Sequence, residues 1–291
     1  MIRVKIMGGL ASQLQKYMLG RYIAEKTNQE LCLDLSWYKK VPAFDTPREL
    51  SLTKYDLRNY KINNRRPLRP LLIRMINKFR RAIGLKESSK YLKTHQLCKN
   101  DIINISHSIE IINEQFGYKL ITTQQKKFTS EIKLKKQSNE LHEKIENILA
   151  SSIPCVAIHI RRGDFLENAA AAKHHCVQNK DYYIGCLNEL KNDLNNRIKV
   201  YVFSDDIEWA ENILSDYGCY FIGCSLSDEE QFELMRYFEY YILSSSHYGL
   251  LSMWLSYRVL KKVYAPEDWV FNVSENKLIK EELKRLEIEI R

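Results

Sequence analysis

The stretch Cys155-Val156-Ala157-Ile158-His159-Ile160-Arg161-Arg162-Gly163-Asp164 decides how the second half of the chain is read. A short apolar run ends abruptly in two cations, a glycine and a carboxylate, the pattern of a buried parallel strand leaving its sheet at the carboxyl end. Outward from it the alternation repeats. Helical spacing over about Asp181–Leu194 precedes a strand at Lys199–Phe203, a helix at Ile207–Tyr217 and a strand at Cys219–Ile222. A helix at Glu229–Phe238, a strand at Tyr241–Leu243, a helix at about Tyr248–Arg258 and a strand at Lys262–Tyr264 follow. Strands that alternate with helices of this length pair in parallel, so the second half is an α/β sheet.

The N-terminal half opens the same way. Arg3–Met7 reads as a strand broken by Gly8 and Gly9, after which Leu14, Tyr17, Met18, Tyr22 and Ile23 recur at helical spacing and Glu30–Leu35 reads as the next strand. From Asp45 to about Ser130 the pattern is less regular. Ile132, Leu134, Leu141, Ile145, Ile148 and Leu149 then predict helical structure leading to Pro154, where a new lobe is expected to begin. The expected organisation is α/β throughout, with lobes at 1–150 and 151–270 and a closing segment 271–291 in which Asn276–Ile290 forms a helix.

Composition narrows the class. A chain of 291 residues has room for two domains, and 45% hydrophobic with 28% charged residues excludes disordered, collagen-like and disulfide-dense proteins. The 45 Lys and Arg outnumber the 36 Asp and Glu, and a net charge of +9 favours an anionic partner. Seven cysteines without a C-x-x-C pair indicate neither a disulfide framework nor a zinc ribbon; they read as reduced and cytosolic. The stretch Met1 to Gly9 sets charges among its apolar residues and runs into a glycine pair, unlike a signal peptide. No uncharged apolar run approaches the ~20 residues a bilayer requires.

In an open parallel sheet, ligands bind beyond the carboxyl ends of the strands. Three such places are loaded here: His159 to Asp164, then Ser204-Asp205-Asp206, then Ser244-Ser245-Ser246-His247. A guanidinium is a permanently charged planar fork suited to diphosphate oxygens, and strand alternation sets His159 and Arg161 on the face opposite Ile160. Arg161 is therefore preferred to Arg162 as the phosphate ligand. A carboxylate after a strand accepts hydrogen bonds from a guanine edge or from ribose hydroxyls, so Asp205 and Asp206 are candidates for nucleoside selection. The serine run opens a helix whose N–H groups and hydroxyls suit phosphate. Each feature also has a plainer explanation: the arginines pairing with Asp164, Ser-Asp-Asp and the serines capping helices, His247 satisfied by its surroundings. Their joint position at the ends of one sheet favours a nucleotide-diphosphate site.

These residues resemble a known family. His159-Ile-Arg-Arg-Gly-Asp164 is similar to the H-x-R-R-x-D motif of the α-1,2-fucosyltransferases (glycosyltransferase family 11-like) and of their α-1,6- and protein O-fucosylating relatives. In the same order, Gly8-Gly9-Leu10-Ala11-Ser12-Gln13-Leu14 with Tyr17 resembles the family's G-G-L-G-N-Q-L…Y, and Tyr201 to Asp206 resembles its F-S-D-D segment. Leu234-Met235 through Ile242 to Trp254 matches its L-M…I…W region. Ala11 and Ser12 replace a glycine and an asparagine, and Ser245 to Leu251 keeps none of the usual tryptophans, marking a divergent member.

The resemblance implies a GT-B glycosyltransferase with two Rossmann-like lobes, inverting and metal-independent, that transfers L-fucose from GDP-L-fucose to a galactose-containing glycan in α-1,2 linkage, as in bacterial O-antigen synthesis. It implies donor binding by His159, Arg161, Arg162, Ser204, Asp205, Asp206, Ser244, Ser245, Ser246, His247, Gly9 and Gln13. Arg161 would stabilise the charge developing on GDP. Asp164 and Glu167 are the candidates for a base, with orientation of an arginine the alternative for Asp164. The absence of a D-x-D pair fits a site without a cation, and His174 and His175 lack a third ligand in register for a metal. Alternatives are another GDP-deoxysugar as donor, or a non-catalytic nucleotide- or polyanion-binding protein.

One segment stands apart. From Arg58 to Lys93 there are twelve Lys or Arg residues and one acid, Glu87, and within it Pro70 to Arg81 sets apolar residues at helical spacing among cations. Such a helix suits an anionic membrane surface, here the cytoplasmic face, where a lipid-linked glycan acceptor would be met. The alternative is a solvated helix packed on the first lobe. Nucleic acid is disfavoured because no aromatic platform is interleaved with the charges.

Overall fold

The computed structural model describes residues 1–42, 46–62, 89–92, 108–111 and 117–291, together with residues 75, 78, 79 and 82. It divides into two compact units, Met1–Gln124 and Gln125–Arg291. Most of the basic segment 58–93 lies outside the described residues.

In the N-terminal unit, β1 (Ile2–Lys5) is flanked by β2 (Leu31–Asp34) and β5 (Ser108–Ile111), with β3 (Tyr60–Ile62) beyond β2 and β4 (Ser89–Leu92) beyond β5. All four pairings are parallel. The chain leaves β1 through Gly8, whose φ of +79° suits a residue without a side chain, and enters α1 (Leu10–Lys26). Helix α1 lies directly on the sheet: a Cβ at Gly20 would stand 2.4 Å from Val4 Cγ2 and 2.8 Å from Leu31 Cδ1. A short helix α2 (Tyr118–Ile121) follows β5.

The C-terminal unit begins with α3 (Gln125–Glu131) and α4 (Asn139–Leu149). Its sheet runs β11-β10-β9-β6-β7-β8, all parallel, from β6 (Cys155–Ile160), β7 (Lys199–Ser204), β8 (Tyr220–Ile222), β9 (Tyr240–Ile242), β10 (Lys262–Ala265) and β11 (Glu289–Ile290). The connections are α5 (Gly163–Glu167), α6 (Ala169–Ala172) and α7 (Lys180–Asp193), then α8 (Ile207–Leu214), α9 (Asp228–Met235), α10 (His247–Trp254) and α11 (Val273–Arg285). Strand β6 is buried along its whole length, and Val156, Ile158 and Ile160 pack with Leu187, Leu190, Val202 and Ile242 in the core. The order reverses between β6 and β9, so the loops after Ile160 and Ile242 flank the topological switch point, where ligands of such sheets bind.

Three expectations shift. The units divide after Gln124 rather than after residue 150 because the fully buried Arg236 donates to Thr129 O and Ile132 O at 2.8 Å and to Leu255 O at 3.0 Å, tying the 125–150 region to the second unit. The closing segment is not helical to Ile290. Helix α11 ends at Arg285, Glu287 turns at φ +58°, and β11 joins the edge of β10. Helices α9 and α10 stop several residues early, at Met235 and Trp254.

Candidate functional site

The strand-end residues of the C-terminal unit converge at the switch point. His159, the penultimate residue of β6, is 5% exposed, and its Nδ1 is hydrogen-bonded to Ser244 Oγ, just beyond β9, at 2.7 Å. Its ring stacks on Tyr248 with centroids 5.5 Å apart. Burial, aided by the Arg161 charge, pushes its pKa down to about 3, so the imidazole is neutral and serves as a strut between the two loops. Gly249 permits the close approach, since a Cβ there would lie 2.9 Å from ring atoms of His159.

The two arginines take different neighbours. Arg161 reaches Asp164 Oδ1 at 2.5 Å and Asp205 Oδ2 at 3.1 Å, with 24% of its side chain exposed. Its guanidinium lies 5.5 Å from the Phe165 ring centroid. Arg162 sits 3.8 Å over Trp209 and donates from Nε to Asp206 Oδ2 at 3.0 Å. Both arginines are held by carboxylates, Arg161 by Asp164 and Asp205 and Arg162 by Asp206 at the start of α8, with 24% and 18% of their side chains exposed.

The carboxylates are used by the protein itself. Asp205 accepts the Arg162 backbone N–H at 2.8 Å and abuts Gly163, where a Cβ would come within 2.7 Å of its Oδ2. Asp206 caps α8, accepting from Trp209 N at 3.2 Å, and Ser204 Oγ accepts from Asp206 N at 3.0 Å. The plainer capping explanation thus describes Asp206 in this structure, and Asp205 braces the arginine loop. The serines divide likewise: Ser245 Oγ donates to Cys176 O, and Ser246 caps α10 by accepting from Tyr248 N at 3.3 Å. His247 is the first residue of α10. Asp164 lies in the first turn of α5, and Glu167 ends that helix exposed to solvent.

Gly9 and Gln13 belong to the N-terminal unit. Gly9 is the N-cap residue of α1, with no atom within 4 Å of where a Cβ would stand. Gln13 is fully buried and its amide is committed to backbone: Nε2 donates to Gly8 O at 2.9 Å and Glu49 O at 2.8 Å, and Oε1 accepts from Leu52 N at 2.9 Å. It locks the glycine turn to the 49–52 loop. Sequence reasoning missed Phe165 and Trp209, the two rings that receive the arginines; their signal was position, one residue after Asp164 and three after Asp206.

Two parallel sheets with helices between their strands define an α/β architecture, and solved structures show which fold it is. The crystal structure of NodZ α-1,6-fucosyltransferase soaked with GDP-fucose aligns with a TM-score of 0.54 at 10% identity, over 90% of this chain and 94% of that chain. The structure of Arabidopsis thaliana FUT1 mutant R284K in complex with GDP aligns with a TM-score of 0.50 at 11% identity, over 87% of this chain and 68% of that one. The fold is that of the GT-B glycosyltransferases. In sequence, an Escherichia coli α-1,2-colitosyltransferase is 28% identical over 91% of each chain. The O-antigen biosynthesis glycosyltransferase WbnK of Escherichia coli is 24% identical over 93% of this chain and 95% of its own. The model of glycosyl transferase family 11 matches residues 100–285, and the chain belongs to that family.

Proposed function

We propose that this glycosyltransferase moves a deoxysugar from a GDP donor to a glycan hydroxyl in α-1,2 linkage during O-antigen assembly, with L-fucose and a galactose-containing acceptor as the first pair to test. The observation that carries the reading is Arg161: a partly exposed guanidinium at the switch point of a family 11 chain, held by two carboxylates. In this scheme it meets the donor diphosphate and stabilises the charge released as the glycosidic bond breaks. The Ser244–His247 loop lies on the opposite side of the diphosphate, its serine hydroxyls committed to His159, Cys176 O and the start of α10, and His159 sets its distance. Asp205 and Asp206 act on the donor mainly through the arginines they hold. Asp164 orients Arg161, and no metal is required, because the arginine does the neutralising.

A second donor has specific support. The colitosyltransferase relative favours another GDP-deoxysugar as strongly as fucose. Transfer assays with GDP-L-fucose and GDP-colitose on galactosides separate the two. The basic segment 58–93 supports a peripheral contact with an anionic cytoplasmic membrane surface. Among the described residues no helix is long and apolar enough to cross a membrane.

Calorimetry of GDP, ADP and UDP binding in EDTA, on the wild type and Arg161→Ala, tests the core of the reading. Selective GDP binding is expected, lost in the variant together with about 10²–10³-fold in transfer rate. Binding of GDP no tighter than UDP, or untouched by the substitution, would refute it.

A further inference from the structure

Phe165 carries two neighbours against one ring. Arg161 places its guanidinium carbon 5.5 Å from the centroid, and His175 stacks on it with centroids 4.0 Å apart and planes within 2° of parallel. The loop that presents His175 is built from several directions. His175 bridges Val270 in antiparallel fashion, with Cys176 N donating to Trp269 O at 2.9 Å and Phe271 N to His174 O at 3.0 Å. Trp269 is in turn fixed from α11, whose Asn276 Oδ1 accepts its N–H at 2.9 Å, and its indole donates to Pro266 O at 3.0 Å. From the other side Ser245 donates to Cys176 O, so the same loop is tied to the serine run after β9. Nothing in the reaction scheme so far uses His175.

We propose that His175 is a positioning residue that acts through Phe165, holding the Arg161 guanidinium where the donor diphosphate arrives. The proposal rests on the reading of Arg161 as the diphosphate ligand. Its physical content is a rigid aromatic backing. Phe165 is a half-buried side chain on a five-residue helix. Stacked on an imidazole anchored to the 269–271 backbone, it presents a fixed π-face to the cation, and a cation held against such a face loses little freedom when a ligand binds. The backing must be neutral, or it would repel Arg161. Burial, with the His174 and Arg161 charges outweighing the pull of Asp164, brings the His175 pKa down to about 4, so the ring is uncharged at neutral pH. A flat uncharged ring is required here, and a proton is not.

GDP calorimetry and initial-rate kinetics on wild type, Arg161→Ala, His175→Leu and His175→Phe test this. His175→Leu fills similar volume without a flat face, and it is expected to weaken GDP binding and lower kcat by about five- to tenfold, the scale of one aromatic stack. His175→Phe keeps the stack, and it is expected to stay within about twofold of wild type with an unchanged pH profile of kcat/KM between pH 6 and 9. A Phe variant as impaired as the Leu variant would overturn the proposal in favour of proton handling by the imidazole. A Leu variant equal to wild type would overturn it outright. GDP binding that survives Arg161→Ala would instead bring down the diphosphate reading itself, a result separable from either His175 outcome.

Discussion

A histidine that stays neutral costs the protein stability in acid, and His159 supplies the measurement. Its folded pKa of about 3 stands against an ordinary value of 6.5. Above pH 6.5 neither folded nor unfolded chain is protonated at this site, and the native strut is fully present. Between pH 6.5 and 3 the unfolded chain takes up a proton that the folded one refuses, so stability falls as pH falls, by about 1.4 kcal/mol per pH unit for one such group. Urea midpoints are expected to carry no His159 slope from pH 8 to 6.5 and to show it from pH 6.5 to 5, reduced by about one proton in His159→Gln; an unchanged slope in that variant refutes the buried neutral state. At this scale the sequence was partly legible. The end of β6 was legible from its apolar run, but whether a carboxylate caps a helix or faces a ligand depends on neighbours such as Trp209 and Gly163, which local pattern does not reveal.

The elements were legible where they are long and strongly periodic. Strand β6, the two strands after it and the glycine turn into α1 stand close to where the apolar pattern predicts them. The ends were less so, because a single residue such as Glu287 at positive φ converts a predicted helix into a turn and an edge strand. Gly20 was not legible at all. Mid-helix glycine normally lowers stability by about 1 kcal/mol relative to alanine. Here a Cβ would meet the fully buried Val4 at 2.4 Å, and overpacking of that kind costs about 1–3 kcal/mol. The clash offsets or outweighs the propensity gain, so Gly20→Ala is expected to lose up to about 2 kcal/mol by urea denaturation. A variant more stable than wild type would show that α1 stands further from the sheet.

Over the whole molecule, a charge of +9 with twelve cations and one acid between Arg58 and Lys93 predicts adhesion to anionic surfaces. Each cation near such a surface contributes about 1 kcal/mol. Removing Arg74, Lys78, Arg80 and Arg81 is thus expected to reduce co-sedimentation with phosphatidylserine vesicles by well over tenfold, with the wild type released by salt. Equal partitioning of the two proteins would dismiss the membrane reading. The sequence by itself determined the α/β class, the parallel second sheet and the strand ends that carry the polar residues, since hydrophobic periodicity and glycine position are local properties of the chain. The tertiary structure alone decided where the units divide and which polar groups are spent on the scaffold. Arg236 reaching back to Thr129 and His159 meeting Ser244 are contacts 107 and 85 residues apart in the chain, and His175 stacking on Phe165 joins two segments whose approach no local pattern encodes; only packing determines them.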